Sequence, residues 1–217
     1  MMSPLLYLSV LSTLVPFAAS TFFFENIKRQ RDLFLLWLFW CLAAVVETVT
    51  LVLARMKLQN IWVFQIYSLL EYILILNLFK CWLLNERLLK WVRYAIPFYL
   101  AFFLLVKLTG LEPITSSAFN FVTRPIALLI IVFFIFKILF ELWESATIEV
   151  TNDYRFWTLL ALLVYYASST ALFAFSYVKD REILLAIFYT HAVLNIIHNL
   201  LFTIGIFKAR GARQVAI

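Results

Sequence analysis

Four hydrogen-bonding side chains interrupt the last apolar segment of the chain, which reads HAVLNIIHN over residues 191–199. They are His191, Asn195, His198 and Asn199. Their spacing of i, i+4, i+7 and i+8 places them in a stripe along one face of an α-helix. Because polar groups are costly in contact with lipid, we expect this stripe to face the interior of a bundle of helices.

Polar and ionisable side chains of other apolar segments fall at matching depths. With a rise of about 1.5 Å per residue, Glu47 and His191 lie roughly 10 Å from the outer ends of their helices. On the same scale, the depth is roughly 15 Å for Glu71, Ser168 and Asn195 and about 5 Å for Arg124. Ionisable groups at membrane depth cost on the order of 2.5–3.5 kcal/mol each, so they should converge on partners or a ligand. We therefore predict an outer ligand-binding pocket formed by Glu47, Glu71, Arg124, Ser168, His191 and Asn195.

A second polar group is predicted deeper in the membrane, at roughly 21–24 Å from the outer surface. Its members are Asn77, Lys137, His198 and Asn199. The stripe on the last helix would connect this inner group to the outer pocket. For the asparagines and His198, simple hydrogen bonding between helices is the alternative interpretation.

The residue types restrict the chemistry. The last helix contains no lysine before Lys208, which excludes a retinal Schiff base near its middle. The two histidines lie about 10 Å apart on one helix, too far to bind the same ion. We predict no catalytic residue, no metal and no cofactor, with a site of Glu47, Glu71 and His191 as the one metal arrangement left open.

Enzymatic activity has little else to support it. The spacing of the polar residues indicates no Ser-His-Asp arrangement, and the chain contains no Gly-rich phosphate loop. The sequence therefore favours a role other than catalysis. An intramembrane enzyme that uses a Glu/Glu/His cluster for acid–base chemistry is kept as an alternative.

The elements that must position these residues are membrane-spanning helices. The 217 residues are 65% hydrophobic and 14% charged, whereas about a quarter of a soluble domain is charged. A span needs about 20 mostly apolar residues. The chain is thus predicted to be an all-α, polytopic membrane protein, a seven-transmembrane-helix bundle that forms a single domain over 1–217 with no soluble domain. The predicted helices cover about 5–23, 33–54, 61–79, 94–110, 121–142, 157–178 and 184–207.

Lysine and arginine are concentrated at one side of these spans. The basic residues on that side are Lys28, Arg29, Arg31, Lys80, Arg87, Lys90, Arg93, Arg155, Lys208, Arg210 and Arg213. The positive-inside rule then places the amino terminus outside and the carboxyl terminus inside. The net charge of +6 is read as a topology signal and an attraction to anionic membrane lipids, not as nucleic-acid binding.

Two stretches resemble a known group of proteins. IYSLLEYILILNLF at 66–79 and HAVLNIIHNLLFTIGIF at 191–207 resemble helices of small uncharacterised seven-helix membrane proteins of Bacteroidota-type bacteria. Some of those proteins are associated with sensor kinases. The resemblance implies a sensory or accessory subunit of a bacterial inner membrane that contacts another membrane or cytoplasmic protein.

A weak internal repeat points to a different class. Tyr67 and Asn77 have the same spacing as Tyr189 and Asn199, which suits a three-plus-one-plus-three parallel repeat. In helix count, orientation and asparagines on helices 3 and 7, the chain resembles sugar transporters of the SWEET type. It departs from them because Pro16 and its counterpart in helix 5 are not followed by glutamine.

The sequence thus predicts an integral membrane sensory or accessory subunit. A small polar intramembrane pocket would bind a ligand or a proton, and the cytoplasmic face would relay the change to a partner. A small seven-helix transporter and an intramembrane enzyme remain the two alternatives.

Overall fold

The computed structural model describes residues 4–114, 121–145, 149–174 and 181–211. Within those ranges every regular element is helical, and no strand occurs. The α-helices are α1 Pro4–Ser12, α2 Leu14–Phe22, α3 Phe24–Ile27, α4 Arg31–Arg55, α5 Ile61–Trp82, α6 Glu86–Leu108, α7 Thr123–Ser145, α8 Tyr154–Ala174 and α9 Arg181–Gly211. A short 3₁₀ turn, Val150–Asn152, precedes α8.

Six segments of the described chain are long and apolar enough to cross a membrane, which is compatible with a multi-pass membrane protein. They are Pro4–Phe22, Arg31–Arg55, Ile61–Trp82, Glu86–Leu108, Thr123–Ser145 and Leu185–Arg210. The seventh long helix, α8, packs between α7 and α9. Its predicted extension to residue 178 lies partly outside the described residues.

Two boundaries differ from the sequence prediction for local reasons. The first span is divided into α1 and α2 at Thr13, because Pro16 has no N–H to donate to the carbonyl of Ser12. The fourth span begins at Glu86 and not near residue 94, because Asn85 caps it by accepting hydrogen bonds from the backbone of Arg87 (2.9 Å) and Leu88 (3.3 Å). Residues 86–93, which lie outside the predicted span, are therefore part of α6.

The helices form a ring with one helix outside it. The first span packs on α9 and α4, α4 on α5, α5 on α7, α7 on α8, and α8 on α9, which closes the ring. Helix α6 packs against the outer side of α5 and α7. Two tyrosines hold it there: the ring centroids of Tyr72 and Tyr99 are 4.1 Å apart with the ring planes tilted by 37°, and the Tyr99 hydroxyl donates to the carbonyl of Thr123 at 3.2 Å.

Asp32 ties three helices together at the end of the bundle where α4 and α8 begin. Its carboxylate accepts a hydrogen bond from the indole of Trp82 at 2.9 Å and another from the hydroxyl of Tyr154. At the other end, α1, α5, α7 and α9 begin and α4 ends. We call the latter the cavity end, because the site described next lies there.

Candidate ligand cavity

A cavity of about 390 Å³ opens between the helices of the ring in the half of the bundle nearest the cavity end. All six members of the ring contribute to its wall, and α6 does not. About half of the lining side chains are apolar, as in most small-molecule sites. Four of the six residues predicted for the outer pocket line it, namely Glu47, Arg124, His191 and Asn195.

The asparagines of the α9 stripe attach that helix to α1. The amide nitrogen of Asn195 donates to the hydroxyl of Ser9 at 3.0 Å and to its carbonyl at 3.3 Å. One turn further along, the amide of Asn199 donates to the hydroxyl of Ser12 at 2.6 Å. Both asparagines are therefore used for interhelical hydrogen bonding while they also line the cavity.

The two histidines of the stripe attach α9 to α8. His191 Nδ1 lies 3.1 Å from the hydroxyl of Ser168, which places Ser168 behind the wall as the support of a lining residue. His198 Nδ1 lies 2.8 Å from the carbonyl of Ala161, so this nitrogen must carry the proton. Its other nitrogen, Nε2, is then a free acceptor, and no hydrogen bond to it forms within the described ranges.

Aromatic rings surround His198 at the deep end of the cavity. Its ring stacks on Tyr165 with centroids 4.8 Å apart and lies 5.8 Å from the ring of Trp40. The indole nitrogen of Trp40 is buried and has no hydrogen-bond partner in the part of the chain that the structure describes. At this end of the cavity the indole N–H of Trp40 and the Nε2 acceptor of His198 are therefore both available to a ligand.

Glu47 and Glu71 occupy opposite environments, although the sequence placed both in the pocket. The Glu71 carboxylate lies behind the wall, fully buried, and pairs with the guanidinium of Arg124. Tyr67 donates a further hydrogen bond to it at 3.5 Å. The Glu47 carboxylate, in contrast, faces the cavity and has no ion pair or hydrogen bond with any described residue.

A second charge network lies beside the cavity and was not predicted. Lys107 donates to Gln65 at 3.1 Å and lies 3.5 Å from the carboxylate of Glu112. Glu112 also accepts hydrogen bonds from the backbone of Val122 and Thr123, which satisfies the amino-terminal end of α7. Glu112 lies in a short loop outside the predicted spans, so depth could not have revealed it.

Other lining residues were not predicted from the sequence, because neither charge nor depth distinguishes them. Ser9 is the clearest case. The serines of α1 recur at i and i+3, which complements the i, i+4 asparagines of α9. Matching these two patterns would have predicted the contact between α1 and α9. The cavity itself could not be predicted in this way, because it depends on how all six members of the ring pack together.

The predicted inner polar group does not form. His198 and Asn199 lie at the cavity, but Asn77 donates to the carbonyl of Ile73 on its own helix at 2.7 Å and accepts from Lys80 at 3.2 Å. Lys137 is exposed on the outer surface of α7 and lies over the ring of Phe133. Equal depth was not sufficient, because the residues point in different directions around the ring.

No three His, Cys, Asp or Glu side chains come close enough to hold a metal ion among the residues that are described. In particular, the Glu47, Glu71 and His191 arrangement is not assembled, since Glu71 is turned towards Arg124. The wall instead offers one carboxylate, neutral hydrogen-bonding groups and aromatic faces. These groups suit binding better than acid–base catalysis.

No family of proteins, no curated protein and no solved structure matches this chain.

Proposed function

We propose that this chain is a sensory or accessory subunit of a bacterial inner membrane, which binds a small ligand or a proton in its central cavity and relays the change to a partner protein. The observation that carries the proposal is the unpartnered carboxylate of Glu47 in a cavity of about 390 Å³ inside a helical bundle. Cavities of roughly 300–1,000 Å³ are typical of small-molecule sites. An ionisable group inside a membrane usually has a functional reason to be there.

Helix α9 supports the relay. It provides six of the lining side chains, two of which are His191 and Asn195. At about 1.5 Å per residue its 31 residues are roughly 46 Å long, so the same helix reaches the opposite end of the bundle. There Lys208 donates to Asn152 at 3.0 Å, in the segment that precedes α8. A small tilt of α9 on ligand binding would change the surface offered to a partner at that end.

The distribution of charge supports an orientation with the cavity end outside and the opposite end in the cytoplasm. Basic residues are concentrated at the opposite end, among them Arg29, Arg87 and Arg210. By the positive-inside rule this end faces the cytoplasm, where it contacts anionic lipid and the partner. The cavity would then draw its ligand from the outer half of the membrane or from the outer solution.

The test is native mass spectrometry of the protein extracted gently from its own membrane, for the wild type and for Glu47→Gln and His191→Ala. We expect a small-molecule mass and a partner polypeptide at fixed stoichiometry on the wild type, with the small-molecule mass lost from the variants. A bare chain, identical in all three proteins, would reject the proposal.

A small transporter is the second candidate, and the order of helices in the ring favours it. In such a repeat the first span, α4 and α5 correspond to α7, α8 and α9. The contact between α5 and α7 is then equivalent to the contact between α9 and the first span. This is the order that a parallel three-plus-one-plus-three repeat would have, with α6 as the additional helix. Against it, Asn77 does not reach the cavity.

Transport requires that the cavity open to both sides in turn. A single cysteine at Ser169, which lines the cavity, would be labelled by a membrane-impermeant thiol reagent added from either side. The two native cysteines, Cys41 and Cys81, would first be replaced by serine. Labelling from one side only would favour the sensory proposal over the transporter.

A further inference from the structure

The charges on the cavity wall do not balance. Glu47 and Arg124 are the charged side chains that line it. Arg124 is neutralised from behind by Glu71, which is itself fully buried. An ionised Glu47 therefore leaves one negative charge facing the cavity, and no described residue compensates for it. An uncompensated charge is unfavourable at this depth, and a bound cation would remove the penalty.

The neutral groups of the wall do not supply that compensation. His191 is held by Ser168, and the Nδ1 proton of His198 is directed at the carbonyl of Ala161. The amide nitrogen of Asn195 is directed at the hydroxyl and carbonyl of Ser9. The basic side chain of Lys107, further out, is engaged with Glu112 and Gln65. A ligand that carries a positive charge would supply the compensation that the wall lacks.

The rest of the wall suits the body of such a ligand. Six aromatic side chains line the cavity: Phe39, Trp40, Phe64, Tyr67, Tyr165 and Phe188. The faces of aromatic rings attract ammonium groups, with about 0.5–2 kcal/mol per favourable contact, and also pack against apolar groups. A volume of about 390 Å³ accommodates a molecule larger than a metal ion or a simple ammonium ion.

We infer that the cavity binds an organic ammonium cation with an apolar, preferably aromatic, body, whose charged nitrogen pairs with Glu47. This inference rests on the proposed function, because it names the class of ligand that the same cavity would take. A ligand of this class would also explain why an acidic residue without a partner and several aromatic rings line the same cavity.

The experiment compares three probes that share one body and differ in the head group: 4-phenylbutylamine, 4-phenylbutanol and 4-phenylbutyrate. Binding to the full chain in nanodiscs of zwitterionic lipid is measured by calorimetry and by the shift of the unfolding temperature. We expect the amine to bind saturably, with a Kd at least about tenfold lower than that of the alcohol, and the carboxylate to bind more weakly than either.

Glu47→Gln keeps the shape of the side chain and removes the charge. It should weaken amine binding at least about tenfold and leave alcohol binding nearly unchanged. The matched control is Glu86→Gln, at an exposed glutamate in the first turn of α6, which should alter neither. If Glu47→Gln does not fold, the order of the three probes on the wild type still decides the question.

Equal or tighter binding of the alcohol or the carboxylate would overturn the inference and leave the proposed function standing, since the cavity would still bind a ligand. Failure of all three probes would also overturn it. The proposed function is then judged separately, by whether the protein from its own membrane carries a small-molecule mass. A neutral or anionic native ligand would support the proposed function and reject the cation.

Discussion

At the scale of single residues, two glutamates of similar depth have opposite roles. Glu71 belongs to the framework, because it is fully buried against Arg124 and receives a hydrogen bond from Tyr67. Glu47 belongs to the cavity, where no described residue satisfies it. Substitution by glutamine should therefore destabilise the protein strongly at position 71, and should leave its stability unchanged or raise it slightly at position 47.

Removing one partner of the buried ion pair should be strongly destabilising. Glu71→Gln leaves the Arg124 guanidinium uncompensated, and we expect a loss of about 3–5 kcal/mol in the free energy of unfolding. The double variant Glu71→Gln with Arg124→Met should recover part of that loss. Reversible unfolding in mixed micelles measures both. A loss below about 1 kcal/mol, or no recovery in the double variant, would show that the pair is not a framework element.

Glu47→Gln should leave the stability of the ligand-free protein unchanged or raise it by about 1 kcal/mol, because it removes a charge that has no partner. Binding residues often carry such a cost in stability. The same unfolding experiment, with the protein stripped of bound molecules, provides the measurement. A loss comparable to that of Glu71→Gln would mean that Glu47 has a structural partner, and the cavity would lose its central feature.

At the scale of elements, α9 organises the bundle. One side of it is attached to α8 through His191 and His198, and another to α1 through Asn195 and Asn199. Without many charged groups, packing and these hydrogen bonds must fix how the helices are arranged around the cavity. The contact between α1 and α9 can be tested directly.

A double-mutant cycle between Ser12 and Asn199 should show coupling. Hydrogen bonds between membrane helices contribute about 0.6 kcal/mol on average and at most about 1.7 kcal/mol. We expect about 1 kcal/mol for Ser12→Ala with Asn199→Ala, since their distance is only 2.6 Å. The cycle of Ser145→Ala with Asn199→Ala is the control, because Ser145 bonds only within its own helix. Additive effects in both cycles would contradict the proposed docking of α1.

The capping of α6 by Asn85 provides a second test of an element. Asn85→Ala removes the acceptor for the amides of Arg87 and Leu88, and should cost about 1 kcal/mol of unfolding free energy. Asn85→Ser retains a capping oxygen and should cost much less. Equal losses for the two variants would show that the start of α6 is fixed by packing and not by its cap.

Most of the helices and part of the cavity wall could be predicted from the sequence, for a physical reason. Apolar segments of about 20 residues and the i, i+4 stripe are local patterns, so the spans and the inward face of His191 and Asn195 could be predicted. Which helices become neighbours is not local. Lys137 and Asn77 were assigned to an inner group from depth alone, and their positions around the ring remove them from it.

At the scale of the whole molecule, the ring of six helices creates the cavity and α6 supports it from outside. Because each wall segment comes from a different helix, a ligand in the cavity would contact all of them. The long α9 connects that arrangement to the opposite end of the bundle. The proposed sensory role therefore requires that the cavity be occupied in the native membrane.

Native mass spectrometry of the wild type beside a cavity-filled variant tests this requirement most directly. Ala43→Phe places a large side chain on the cavity wall, and Val45→Phe places the same side chain on the exposed surface of the same helix. We predict a bound small molecule on the wild type and on Val45→Phe, and its loss from Ala43→Phe. A small molecule retained by Ala43→Phe, or absent from all three proteins, would contradict the account.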